Sequence, residues 1–137
     1  MSEKLLGQKV ILLCAGGTGG HLFPAEALSH VLQRRGAIVH LATDARAKKY
    51  AGTFPATAIH AVASATPTGG GIFSKIRAGF ALARSILTSR GILSAIKPNC
   101  VVGFGGYPTV PPMLAAQNKK IPTVLHEQNA VMGRANA

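Results

Sequence analysis

Aliphatic runs and amphipathic stretches alternate along almost the whole chain. Lys9–Ala15 is a continuous aliphatic run closed by Gly16-Gly17, the pattern of a strand buried on both faces and followed by a glycine-rich loop. Pro24, then Ala25, Leu28, Val31 and Leu32 at helical spacing with Glu26, Gln33 and Arg34 between them, predict an amphipathic helix that begins near Pro24 and stops at Gly36. Ala37–Thr43 reads as a second strand, Asp44–Tyr50 as a brief helix and Thr57–Ala63 as a third strand. Ser64–Gly71, with Ser, Thr, Pro and three consecutive glycines, predicts a mobile surface loop. Periodicity then predicts a helix over Phe73–Ser89 and a second short one over Gly91–Lys97, ended by Pro98. Asn99–Phe104 is a fourth strand, Gly105–Pro108 a turn, Thr109–Asn118 a helix that Thr109 caps, Ile121–Glu127 a fifth strand, and Asn129 the start of another helix.

Strands that alternate with helices require a parallel sheet with right-handed crossovers. The expectation is an α/β, Rossmann-like parallel sheet with helices on both faces and strand order 3-2-1-4-5. Ligands bind such sheets beyond the carboxyl ends of the strands, at the switch point between strands one and four. Three unusual segments fall there.

The first is Gly16-Gly17-Thr18-Gly19-Gly20-His21, where backbone N–H groups and a helix amino end suit a diphosphate or a developing oxyanion. The second, Gly103-Phe104-Gly105-Gly106-Tyr107-Pro108-Thr109, repeats the strand, glycine, helix order. The third is His126-Glu127-Gln128-Asn129, four consecutive hydrogen-bonding side chains in a turn. Each has a plainer reading: a tight turn for the first, a packed Tyr107 for the second, Asn129 as a helix cap for the third. The dinucleotide fingerprint fails in register, because Gly17-x-Gly19 needs a third glycine where Leu22 stands, and the phosphate-loop Gly-Lys-Ser/Thr is absent. His30, His40 and His60 are assigned to structure.

Composition narrows the classes. The 137 residues suit one domain, and 47% apolar residues with 16 glycines exclude a disordered chain. A formal charge of +11 favours an anionic partner without choosing among nucleic acid, phospholipid and phosphorylated metabolite. No apolar run approaches the roughly 18 residues that cross a bilayer. Cys14 and Cys100 lie inside apolar runs, so a disulfide framework and export are not expected, and they lack zinc-ligand spacing. Asp44 is the only aspartate, so no Asp-x-Asp metal-diphosphate motif exists and no metal cofactor is expected. Ile72, Phe73, Ile76, Phe80 and Leu87 stand among Lys75, Arg77, Arg84 and Arg90. That mixture describes either a surface that lies on anionic headgroups or a core helix with a solvated basic face.

Taken together, Gly-Gly-Thr-Gly-Gly-His at 16–21, Phe-Gly-Gly-Tyr at 104–107 with Pro111 and Ala115-Ala116 behind it, and His-Glu-Gln-Asn at 126–129 followed by Gly133 and Asn136 resemble the MurG family. These are the N-acetylglucosaminyltransferases of peptidoglycan biosynthesis, and the resemblance runs from about Lys9 to the last residue in the family's order. It implies the GT-B architecture, of which this chain is the amino-terminal, acceptor-side domain without the carboxyl-terminal donor domain, inactive alone. It implies inverting transfer from UDP-N-acetylglucosamine to an undecaprenyl-diphosphate-muramoyl-pentapeptide, without covalent intermediate or metal. His21 is then the expected base and Glu127 the alternative. Thr18, Gly19, Gly20 and Asn129 are expected at the donor; Gly16, Gly17, Gly105, Gly106, Tyr107 and His126 are expected at the acceptor. The lipid acceptor favours membrane contact through Ile72, Phe73, Lys75, Ile76, Arg77, Phe80 and Arg84, peripherally on the cytoplasmic face of the cell membrane. The chain has no tryptophan for that surface, and Thr109 stands where serine is common in the family.

Two other readings compete. An NAD-dependent oxidoreductase would use Asp44 for a ribose hydroxyl. A nucleic-acid-binding module would draw on the positive charge, but the basic residues are scattered and aromatics make up 5%.

Overall fold

The aliphatic runs pair into one five-stranded parallel sheet in the computed structural model, which describes residues 7–63 and 69–137. The strands are β1 (Val10–Cys14), β2 (Ile38–Thr43), β3 (Ala58–Ala61), β4 (Cys100–Gly103) and β5 (Thr123–Leu125), in the order β3-β2-β1-β4-β5. Helices α1 (Gly19–Arg34), α2 (Ala45–Tyr50), α3 (Ile72–Ile96) and α4 (Val110–Asn118) supply the crossovers. Alternate residues of each strand serve opposite faces. Leu13, Ala15, Val39 and Leu41 pack with Leu22 and Ala25 of α1, while Leu12, Cys14, Ala42 and Val101 pack with Leu93 of α3 and with Met113 and Ala115 of α4. Both cysteines are free thiols, and burial pushes the Cys14 thiol far above its ordinary range.

Four boundaries differ from the sequence expectation. Helix α1 starts at Gly19, so Pro24 lies in its second turn. Glycine disfavours a helix, which made Pro24 the visible start signal, yet the glycines here are helical and carry His21 into the first turn. Helix α3 is continuous through Gly91, because Ser85, Ser89 and Leu93 form one unbroken buried face. It ends at Lys97, left-handed at φ 47°, whose N–H returns to the Leu93 carbonyl just before Pro98. Strand β5 is three residues long, with Val124 and Leu125 half exposed at the sheet edge. Residues 129–137 form bends and a turn instead of a helix, for a reason visible at Glu127 below. Of the Ser64–Gly71 loop, residues 64–68 lie outside the described residues.

Thr109 occupies the cap position of α4 but does not cap it with its hydroxyl. A capping oxygen bonds the N–H of the second or third helical residue, and here those residues are Pro111 and Pro112, which have none. The hydroxyl turns back to donate to the Gly106 carbonyl at 2.7 Å.

Candidate functional site

Strands β1 and β4 are neighbours, but the chain leaves their carboxyl ends in opposite directions, toward α1 and α4. Crevices open at such points. Each of the two connections turns on glycine. Gly105 and Gly106 have φ of 96° and 85°, which side-chain-bearing residues rarely adopt. A methyl group on Gly106 would lie 2.6 Å from the Gly16 carbonyl oxygen, and one on Gly105 would lie 3.2 Å from His21 Nε2. The two loops therefore touch backbone to backbone.

His21 is held by that contact. Its Nδ1 lies 3.0 Å from the Gly16 carbonyl oxygen and 3.2 Å from the Thr18 hydroxyl. A carbonyl can only accept, so Nδ1 is the donor, and in the neutral tautomer that this contact selects Nε2 holds the lone pair. Thr18 precedes α1 in extended conformation, its hydroxyl turned to the imidazole and not to a backbone N–H. Neither Thr18 nor Gly106 caps its turn with a side chain, so both turn starts keep backbone donors for an anion.

Glu127 organises the third segment. Its carboxylate accepts the Gly133 N–H (2.8 Å), the Asn129 N–H (3.0 Å) and the side-chain amides of Asn129 (2.8 Å) and Asn136 (3.0 Å). The Gly133 and Asn129 N–H groups hold its carboxyl well below the ordinary 4.5, at about 2. This ring of bonds winds residues 127–136 around the carboxylate and takes the Gly133 N–H, which in a helix beginning at Asn129 would have bonded the Asn129 carbonyl. Asn136 is buried; its amide also reaches the His126 carbonyl (3.3 Å), and its Oδ1 has no partner among the described residues.

The three segments converge. His21, Gly105, Gly106, Tyr107, Glu127 and Asn129 line one cavity of about 200 Å³, together with Arg134 and Asn136. Other expected residues lie elsewhere. Gly17, Thr18 and Gly19 face a neighbouring cavity of about 420 Å³, shared with Phe23, Arg46 and Phe54 on the far side of the loop. Gly16 is buried, where an added methyl would meet Pro108 and Thr43 at 3.0 Å, and Gly20 is exposed. The His126 ring packs against Phe104, with ring centroids 5.3 Å apart, outside the cavity. Arg134, which lines the cavity, was not singled out from sequence; a segment read as helix hid it.

Asp44 argues against the dinucleotide reading. It is buried, and its Oδ1 accepts the Ala47 N–H at 2.9 Å as the cap of α2, so it is not free for a ribose. Among the described residues no three His, Cys, Asp or Glu side chains converge.

On α3, Ile72, Ile76, Phe80 and Leu87 are 71%, 50%, 74% and 66% exposed, and Phe73 is 84% exposed. At about 100° per residue they fall in one arc of about 100°, roughly opposite Ser85 and Ser89, with Arg77 and Arg84 on one flank, Lys75 on the other, and Arg90 at the edge of the arc on the same angle as Ile72. No helix among the described residues is long and apolar enough to cross a membrane.

A Rossmann-like domain with two glycine turns and an oriented imidazole at its switch point has the makeup of the amino-terminal half of a GT-B glycosyltransferase. The chain belongs to glycosyltransferase family 28: the family's N-terminal domain matches residues 11–137. It is 58% identical over 127 residues to the UDP-N-acetylglucosamine–N-acetylmuramyl-(pentapeptide) pyrophosphoryl-undecaprenol N-acetylglucosamine transferase of Sinorhizobium medicae (strain WSM419), covering 93% of this chain and 34% of that protein. It is 56% identical over 128 residues to the protein of the same name from Chelativorans sp. (strain BNC1), with the same coverage. The crystal structure of Acinetobacter baumannii MurG superposes with a TM-score of 0.81 at 32% identity, over 93% of this chain and 38% of that one. The MurG resemblance read from the three motifs is thus shown. The chain spans about a third of the length of these curated relatives.

Proposed function

We propose that this domain is the acceptor half of an inverting N-acetylglucosaminyltransferase, acting with the carboxyl-terminal domain that the longer relatives possess. The reaction moves N-acetylglucosamine from UDP-N-acetylglucosamine to the muramoyl C4 hydroxyl of undecaprenyl-diphosphate-muramoyl-pentapeptide, a step of cell-wall peptidoglycan synthesis. The observation that carries this reading is the convergence of His21, Gly105–Tyr107, Glu127 and Asn129 on one cavity at the β1/β4 switch point.

His21 Nε2 takes the proton of the acceptor hydroxyl as its oxygen bonds the anomeric carbon, and the bond from that carbon to UDP breaks with its electron pair on the diphosphate. The Gly16 carbonyl fixes the ring for this role. Glu127 is less suited to it, because four donors already occupy its carboxylate and keep it a very weak base. We assign it to positioning Asn129 at the donor sugar. Thr18, Gly19 and Gly20, on the outer face of the loop, meet the donor; Gly105, Gly106, Tyr107 and Arg134 hold the acceptor diphosphate. Metal-free transfer is part of this reading, and activity is expected to persist with chelator.

The α3 stripe is assigned to the membrane, peripherally and on the cytoplasmic face where a UDP-sugar is available. Apolar groups flanked by basic ones suit an anionic leaflet. The test is transfer of labelled N-acetylglucosamine to a lipid-linked muramoyl acceptor by the protein carrying both domains, with and without chelator. Absence of transfer by pure, folded protein overturns the reading.

A further inference from the structure

Two cavities meet at Tyr107. The reaction cavity is one; the other is a groove of about 330 Å³ between α3 and the start of α4, walled by Ala78, Gly79, Leu82 and Val110. Tyr107 and Arg134 line both. Beyond that junction the groove is apolar except for Ser85, whose hydroxyl is already donated to the Ala63 carbonyl at 3.0 Å. Its size falls within the range of small-molecule sites.

Gly79 keeps the groove open. Glycine inside a helix is unfavourable relative to alanine, and packing does not demand it here, since a methyl group at 79 would meet no atom within 4 Å. Gly79 also lies about 20° from Ile72 on the α3 wheel, at the edge of the exposed apolar stripe. The groove thus runs from the cavity at the Gly105-Gly106 turn, past a guanidinium, to the rim of an apolar surface.

We propose that this groove holds the first isoprene units of the polyprenyl diphosphate acceptor, with Arg134 at the diphosphate where groove and reaction cavity join. This rests on the transferase reading above and adds the path of the lipid across the domain. The chemistry matches along its length: diphosphate at the glycine turns, branched hydrocarbon against Leu82 and Val110, and the remaining chain leaving toward Ile72 and Ile76.

The test uses the two-domain protein in vesicle-free solution, with muramoyl acceptors whose diphosphate carries either a geranylgeranyl chain or a butyl chain too short to occupy the groove. The expected KM of the wild type is lower for the geranylgeranyl acceptor. Gly79→Leu fills the groove and is expected to shrink that advantage about tenfold, the scale of one or two buried hydrocarbon groups. Leu114→Glu, at an exposed position of α4 that lines neither the groove nor the reaction cavity, is expected to preserve it. Retention of the advantage in Gly79→Leu, or an equal loss in Leu114→Glu, overturns the groove assignment. A melting curve and the KM for UDP-N-acetylglucosamine show that Gly79→Leu is folded. A wild type inactive on both acceptors overturns the transferase reading, and the groove assignment with it; activity without chain-length preference overturns the groove alone.

Discussion

His21 and Glu127 face the same cavity with opposite electrostatic histories. The imidazole has one nitrogen tied to a carbonyl and the other free, whereas the carboxylate receives backbone and side-chain donors on both oxygens. A base must have a lone pair to offer, which separates the two. His21→Ala in the two-domain protein is expected to lower kcat by about 10²–10⁴, the usual contribution of a general base. Glu127→Gln also lowers activity, but by turning an amide N–H₂ toward a donor of Gly133 or Asn129 and loosening the 127–136 turn. The pH–rate profile tells them apart: the limb that reports protonation of the base persists in Glu127→Gln and vanishes in His21→Ala. A loss of less than tenfold in His21→Ala moves the proton transfer to Glu127.

Strand pairing places a histidine pair where it makes a measurable difference. His40 on β2 and His60 on β3 are diagonal neighbours on the face of the sheet that α3 and α4 cover, with Nδ1 and Nε2 3.0 Å apart and ring centroids 5.2 Å apart. Burial lowers both below the ordinary 6.5, and for His60 the charges of His40 and Lys48 add to it. A base whose folded pKa is depressed contributes no penalty above its unfolded value; as pH falls below about 6.5 the unfolded chain takes up protons that the fold resists, and stability drops until the folded-state pKa is passed. Thermal melting is expected at lower temperature at pH 5.5 than at 7.5, with a smaller difference in His60→Asn; an unchanged difference assigns the effect to other groups. The pair also marks what sequence could carry at this scale. Alternation put both histidines on strands, and the aliphatic runs with their glycine stops gave the strand order and the three segments at the switch point. Contacts between distant segments were not legible. Gly19 and Gly20 are helical against their propensity, Gly91 is spanned because Ser85, Ser89 and Leu93 share one buried face, and Arg134 reaches the cavity because Glu127 captures backbone donors six residues away.

The whole molecule has a direction. A helix that follows a strand in a parallel sheet begins at that strand's carboxyl end, so the amino-terminal half of α3, with Ile72, Phe73, Ile76 and Phe80, lies at the same end of the domain as the reaction cavity. Charge suits the proposed membrane placement: a formal +11 would be attracted to an anionic leaflet, and Lys75, Arg77 and Arg84 flank the apolar stripe that would enter it. The two contributions respond to different variables. Salt screens the basic rim within a Debye length, whereas burial of apolar side chains, about 1.5–3 kcal/mol for each one fully buried, does not depend on it in that way. Ile76→Glu with Phe80→Glu is therefore expected to lower partitioning of the two-domain protein onto anionic vesicles at least tenfold and to leave the fold intact, since both side chains are exposed. In the wild type, moderate salt is expected to weaken binding without abolishing it, and the double variant is expected to lose the salt-resistant part. Equal partitioning of variant and wild type at every salt concentration rejects α3 as the membrane face and leaves the positive charge, spread over the surface, as the sole attraction.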